Sequence, residues 1–270
     1  MGAGAGADCR VQLGVSSLSV VMAVHNGQTF LRDQIDSIVG QLLPGDELIV
    51  IDDASTDGSL DLLGRMTSPF LRVYRNPYNL GIRRTFERGL RLARHDLICL
   101  SDQDDRWNEG KRTAFVAKFI EDATTSVVIS DAEVIDANGT VIAPSFMATR
   151  NGFVGTVAGT LWRNRYLGCA MAIHRRVLEV ALPVPAYVPM HDMWLGVMGR
   201  LVGRVVYLPT PYLQYRRHGA NASPASRQSW HRMITWRIAL LGALVSRLPL
   251  VAVHRWRRGT ARAASTASGP

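Results

Sequence analysis

Four short apolar runs, at residues 18–24, 47–51, 71–74 and 97–100, are separated by segments whose apolar residues recur at helical spacing. Unbroken apolar runs of this length suit strands buried on both faces, as in a parallel sheet covered by helices. The clearest helical stripe is Phe30, Leu31, Gln34, Ile35, Ile38, Val39 and Leu42, with Thr29 as the expected N-cap and Pro44-Gly45 as the stop. Further stripes run through Leu60, Leu63 and Met66, and through Phe86 and Leu90 in a basic helix at 82–93. Strand and helix alternating with short loops predict an α/β layered fold with a mostly parallel sheet and right-handed crossovers. Open sheets of this kind bind ligands at the carboxyl ends of their strands. Three polar clusters fall there: His25-Asn26, Asp52-Asp53, and the run Asp102-Gln103-Asp104-Asp105.

Three carboxylates within four residues repel one another and raise each other's pKa unless a cation neutralises them. Hard oxygen donors suit Mg²⁺ or Mn²⁺ and a phosphate-bearing substrate, although a solvated acidic turn has the same composition. No Gly-x-Gly-x-x-Gly follows the first run and no Gly-x-x-x-x-Gly-Lys-Ser/Thr occurs, which argues against dinucleotide and P-loop sites. Further on, 109–122 reads as a helix, 126–135 as a strand, and Asn138-Gly139 as a hairpin turn. Residues 144–164 are irregular and polar; they suit either the wall of an acceptor site or a surface loop anchored by Trp162. His191-Asp192 opens an apolar helix, where an aspartate serves equally as a cap or as a general base. A strand at 205–208 precedes Tyr215-Arg216-Arg217-His218-Gly219, in which His218 is a ligand or an ordinary surface histidine.

Charge separates the chain into two parts. The formal net charge is +9, yet no Asp or Glu follows Asp192, and twelve arginines do. The part up to Asp192 is therefore net acidic, and the basic character belongs to the C-terminal part, which suits an anionic surface. From 229 to 258, Trp230, Trp236 and Trp256 and long aliphatic residues are interleaved with arginines, with Pro249 expected to break or kink the helix. Aromatics and arginines flanking an aliphatic stretch suit a helix lying in a membrane interface, or one packed on the domain with a solvated basic face, better than base stacking, so no nucleic acid is expected. No uninterrupted apolar run reaches the roughly 18 residues that span a bilayer. The expected organisation is a disordered N-terminus at 1–17, one α/β domain at 18–225, a basic amphipathic helical segment at 226–258 and a disordered tail at 259–270. Cys9, Cys99 and Cys169 are widely spaced and suit a reducing compartment, with Cys99 a buried small hydrophobe.

Taken in order, Val20 to Gly27, Ile49 to Gly58, Asn76 to Gly81, Ser101 to Trp107, Gly168 to Ile173, His191 to Leu195 and Tyr215 to Gly219 resemble the motifs of family-2 inverting glycosyltransferases of the GT-A fold. The likeness covers about residues 18 to 220, and Ser-Asp-Gln-Asp-Asp-Arg-Trp with His-Asp-Met-Trp and Tyr-Arg-Arg-His-Gly is similar to a rhamnosyltransferase-like branch that builds cell-surface polysaccharides. The resemblance implies transfer of a sugar from a nucleoside-diphosphate donor to a glycan or glycolipid acceptor. It implies that Asp53 binds the nucleotide base and that His25 and Asn26 line the base and ribose. It places Asp102 near ribose and metal, Asp104 as principal metal ligand with Asp105 beside it, His218 completing that site, and Asp192 as catalytic base. Where the family usually has Glu before this Asp, the chain has His191. Fixed positive charge for the diphosphate is expected from Arg216, Arg217 or Arg83-Arg84. The implied location is cytoplasmic, peripheral at the inner face of the plasma membrane. A nucleotidyltransferase, a non-catalytic scaffold and a nucleic-acid-binding protein are the competing readings. The first lacks an early glycine- and lysine-bearing phosphate loop.

Overall fold

The computed structural model describes residues 16–188, 190–219 and 230–267. The expectations for 1–15, for the 225/226 boundary, and for the side chains of Trp162, Trp230 and Ile234 fall outside what it describes. The chain runs β1 (Leu18–Val24), α1 (Gln28–Val39), β2 (Glu47–Asp52), α2 (Ser59–Arg65), β3 (Leu71–Arg75), α3 (Ile82–Leu92), β4 (Leu97–Ser101), β5 (Arg106–Trp107) and α4 (Lys111–Glu121). There follow β6 (Thr125–Ile135), β7 (Val141–Ala143), α5 (Val157–Trp162), β8 (Met171–His174), α6 (Arg176–Ala181), α7 (His191–Val202), β9 (Arg204–Arg216) and α8 (Trp230–Ala267). Short 3₁₀ turns occupy Ala148–Arg150 and Gly168–Ala170.

One sheet has the order β3-β2-β1-β4-β8-β6-β9-β5, with β7 pairing to β6. Its first half is parallel, as the apolar runs predict: Val21 lies opposite Ile49 on one side and Leu100 on the other. Every residue of β2 and β4 is buried. Helix α3 seats so closely on β1 that a Cβ on Gly89 would stand 2.4 Å from Val21 Cγ1. The second half is mixed rather than parallel, because β8 enters antiparallel between β4 and β6. The hairpin signal at Asn138-Gly139 is met, with Gly139 at φ +86° in the turn between β6 and β7. The N-cap of α1 is Gly27, not Thr29. The free N–H groups at that helix end are taken by the start of α2 and the loop before it, Gly27 N to Ser59 Oγ at 2.9 Å and Gln28 N to Asp57 at 3.1 Å.

Strand β9 is much longer than the expected 205–208. It continues past Pro209 and Pro211, where its pairing with β6 shifts register, as a strand must where proline removes ladder donors. Its far end pairs with β5, Gln214 opposite Arg106, which carries Tyr215 to His218 alongside the acidic run.

Helix α8 runs through Pro249 and on to Ala267, beyond the expected end at 258 and into the stretch expected to be disordered. One face packs on α6 and α7 through Leu240, Ala243, Leu244, Val251 and His254. Arg247 and Arg255 tie it down by donating to the carbonyls of Pro183 and Leu201, at 2.6 and 2.8 Å. The opposite face leaves Ile238, Leu241, Val245, Leu248 and Trp256 exposed as one stripe. By length and composition alone Thr235–Arg257, with mean hydropathy 1.6, suffices to cross a membrane.

Candidate active site

A cleft of about 370 Å³ opens at the carboxyl ends of β1, β2 and β4. Asp53, the pair Asp102 and Asp104, and Asp192, which come from three segments far apart in the chain, all line it, together with His25, His191 and Tyr215.

At one end, buried Asp53 organises the loop after β3. It accepts from Asn76 Nδ2 at 2.7 Å and from the main-chain N–H groups of Leu80 and Gly81 at 2.8 and 2.9 Å. Gly81 stands at φ +80°, so a side chain there strains the loop that Asp53 holds. His25 Nδ1 donates to the Asp53 carbonyl at 2.8 Å, which leaves Nε2 to accept from Asn79 Nδ2 at 3.1 Å. Gln103, which sequence reasoning passed over, imitates a neighbouring strand. Its Oε1 accepts from His25 N at 2.7 Å and its Nε2 donates to His25 O at 3.0 Å. Asn26 does not line the cleft. It staples two loops instead, its N–H donating to Ser55 Oγ and its Oδ1 accepting from Thr56 N.

The three acidic residues divide. Asp102 and Asp104 face the cleft, whereas Asp105 is wholly buried beneath it. Asp105 Oδ1 accepts from Arg216 N at 3.0 Å, and Oδ2 is buried without a well-formed hydrogen bond. Burial first, and then the charge on Asp104, push the Asp105 carboxyl up to about 7. Burial, followed by Asp105, Asp104 and Asp192, pushes Asp102 well above the usual carboxylate range. Asp104 Oδ2 meets His218 Nε2 at 2.8 Å.

The expected trio Asp104, Asp105 and His218 is therefore only half assembled, because Asp105 groups with Asp102 and Cys169 instead, within 4.8 Å. Under this group lies Lys111, fully buried, its Nζ donating to the Cys169 carbonyl at 2.6 Å and 4.4 Å from the centre of the Trp107 ring. Burial and the adjacent carboxylates hold the Cys169 thiol well above its usual pKa, so it stays protonated and offers no thiolate to a metal. The donors that remain are carboxylate oxygens and an imidazole, and the carboxylates crowd closely enough that Asp102 and Asp105 are each raised by their neighbours. That set fits a hard divalent cation.

Asp192 lies in the first turn of α7 but does not cap it; Met190 is the N-cap. Its Oδ1 accepts from Met193 N at 2.5 Å and its Oδ2 from Gly168 N at 3.3 Å. Burial raises this carboxyl from 3.8 to about 6 despite those bonds. Its neighbour His191 stacks on Phe86, ring centres 4.1 Å apart, and burial lowers it to about 3, so it is neutral at pH 7.

Of the four arginines expected at the diphosphate, Arg83 and Arg216 are committed elsewhere. Arg83 donates to the carbonyls of Ala186 and Val188, joining α3 to the loop before α7. Arg216 pairs with Asp33 at 3.2 Å, donates to the Asp104 carbonyl at 2.9 Å and lies over the Phe30 ring. Neither lines the cleft; Arg216 acts as a strut that fixes the acidic loop.

Residues 19–181 match the family model "Glycosyl transferase family 2". Among curated proteins, the chain is 24% identical over 217 residues to the putative glycosyltransferase EpsH of Bacillus subtilis, covering 75% of this chain and 61% of that one. It is 26% identical over 251 residues to the uncharacterized protein Mb1547 of Mycobacterium bovis, covering 89% and 70%. The chain thus spans less than two thirds of EpsH. Among solved structures, S. aureus TarS 1-349 in complex with UDP-GlcNAc superposes with a TM-score of 0.66 at 18% identity, over 83% of this chain and 66% of that one, and shares the fold. With the family model covering well over half of its residues, and with this fold, the chain belongs to glycosyl transferase family 2.

Proposed function

We propose that the protein is an inverting glycosyltransferase that moves a sugar from a nucleoside-diphosphate donor to a hydroxyl of a growing cell-surface glycan. The observation that carries this reading is one cleft lined both by a pair of neighbouring carboxylates, Asp102 and Asp104, and by a separate buried carboxyl, Asp192, raised to about 6. A base with a pKa just below neutrality is ionised at pH 7 yet retains affinity for a proton.

Asp53, Asn79 and His25 form the end of the cleft that takes the nucleoside. Asp104 and Asp102, with His218, would hold Mg²⁺ or Mn²⁺, and a cation bound there would supply Lewis-acid neutralisation of the departing diphosphate. Asp192 takes the proton from the acceptor hydroxyl as its oxygen bonds to the anomeric carbon. The bond from that carbon to the diphosphate oxygen breaks on the opposite face, and one such displacement inverts the anomeric configuration. Arg216 and Asp53 position loops and do not touch reacting atoms.

Two finer features belong to this reading. The pattern of residues 101–107, 191–194 and 215–219 supports rhamnose as the sugar. The exposed apolar stripe of α8, in a region rich in arginine and without acidic residues, supports a lipid-linked acceptor at the cytoplasmic face of the plasma membrane. A thermal-shift screen of nucleoside diphosphates and their sugars, with and without Mn²⁺, tests the proposal. One nucleotide sugar is expected to stabilise the protein in a Mn²⁺-dependent way, and stabilisation by none would overturn it.

A further inference from the structure

Three arginines near the cleft have no part in the chemistry above. Arg150 follows β7 in the irregular segment, with its guanidinium 4.7 Å from the centre of the Phe146 ring. Phe146 meets Tyr215 edge-on, ring centres 5.5 Å apart, and Tyr215 lines the cleft. Arg217 donates to the Tyr215 hydroxyl at 3.3 Å. Two guanidinium groups thus lie against one aromatic pair, of which Tyr215 lines the cleft. Arg163, just after α5, adds a third charge: after burial, it and then Arg217 are the like charges that depress the Arg150 pKa below its usual value.

Among the described residues, no carboxylate forms an ion pair with Arg150, Arg163 or Arg217. Nor does the sequence hold an acidic residue after Asp192 that another segment could bring in. Asp131, beneath this segment, already accepts from Ala132 N, Met147 N and Ser145 Oγ. Assembling three like charges is unfavourable unless an anion joins them, and guanidinium forks match phosphate oxygens in shape and charge. A carboxylate has two oxygens and one charge, enough for one arginine; a phosphate ester engages more.

The position of the cluster bears on which phosphate it holds. Arg150 and Arg163 lie in the segment between β7 and β8, which leads directly into the turn holding Gly168, the hydrogen-bond partner of Asp192. The nucleoside end of the cleft, at Asp53 and Asn79, is built from other loops. Resting on the transferase reading, we propose that Arg150, Arg163 and Arg217 form a subsite for a phosphate ester carried by the acceptor.

Titration calorimetry with glycerol phosphate, with glycerol as the neutral control, tests this on the full chain. Wild type is expected to bind glycerol phosphate and not glycerol, and Arg150→Gln/Arg163→Gln to bind it at least about tenfold more weakly. Affinity for the nucleotide found by the donor screen should stay within about twofold. The charge-conserving Arg150→Lys/Arg163→Lys should recover part of the phosphate affinity, which a folding defect would not allow. Unchanged phosphate affinity in the Gln variant would overturn the proposal, as would an equal loss of nucleotide affinity, since the arginines would then serve the donor diphosphate. Sedimentation with phosphatidylcholine vesicles, with and without phosphatidic acid, separates the sources. A loss that extends from glycerol phosphate to phosphatidic-acid vesicles in the Gln variant assigns a lipid headgroup, and a loss seen only with soluble glycerol phosphate assigns a glycan phosphate. Absence of nucleotide binding by wild type would sink the transferase reading by itself, and is read independently of the phosphate titration.

Discussion

Asp192→Asn separates the chemical role of this carboxyl from its structural one, because the two are expected to move in opposite directions. The amide keeps the bond from Met193 N to Oδ1 but turns an N–H toward Gly168 N, forfeiting a weak bond worth about 1 kcal/mol. Against that, the substitution removes a buried charge. The distance from 3.8 to about 6 corresponds to about 3 kcal/mol by which folding disfavours the ionised form. The sign follows from linkage. The folded carboxyl holds its proton more tightly than the unfolded one, so its contribution to stability is fullest below about pH 4 and is lost as pH rises through about 6. The variant should therefore be about 2 kcal/mol more stable than wild type at pH 8 and no more stable at pH 4. Urea denaturation at the two pH values measures this. Turnover, followed as nucleoside-diphosphate release in the presence of acceptor, should fall by about 10²–10⁴ with donor affinity nearly unchanged. Wild-type turnover should rise through a midpoint near pH 6. A variant that kept more than about a tenth of its turnover would refute the assignment of Asp192 as base. Equal stability gains at pH 4 and pH 8 would refute burial as the cause of the raised pKa.

Three further outcomes are expected. Asp104→Asn should weaken Mn²⁺ binding at least about tenfold, measured by electron paramagnetic resonance of free Mn²⁺, because it removes a charged ligand and leaves His218. Asp53→Ala deletes three hydrogen bonds at once and should release residues 76–81, seen as faster amide exchange at Leu80 and Gly81 and weaker donor binding with turnover at saturation little changed. Leu241→Glu/Val245→Glu on the exposed stripe of α8 should abolish sedimentation with anionic vesicles while leaving the melting temperature unchanged, since neither side chain packs on the domain; retained binding would remove the membrane role.

Parts of the site were legible because strand ends are legible. An apolar run closing in carboxylates locates Asp53 and Asp102 to Asp104 at one edge of the sheet without further knowledge, and the cleft is found there. The inward turn of Asp105 had a faint signal, since in extended chain Asp102 and Asp104 share a side and Asp105 takes the other. Lys111 had a fainter one: it is one of two lysines in a chain that otherwise uses arginine. Lysine accepts burial more readily, because its pKa shifts when it is desolvated.

What the amino-acid sequence determined by itself is the set of local periods, and through them the strands, the helices and the edge where the polar clusters collect. The tertiary structure alone decided which polar groups remain available for ligands. Arg83 and Arg216 look like phosphate ligands in one dimension, yet backbone carbonyls and Asp33 claim them in three. Arg217 has the same look and Arg150 is unremarkable in sequence, yet these two come to lie against one aromatic pair, Phe146 and Tyr215. The physical reason is that a charge is spent or spare according to its neighbours in space. Those neighbours were set by β9 running on past two prolines to pair with β5, a long-range pairing that no local pattern encodes.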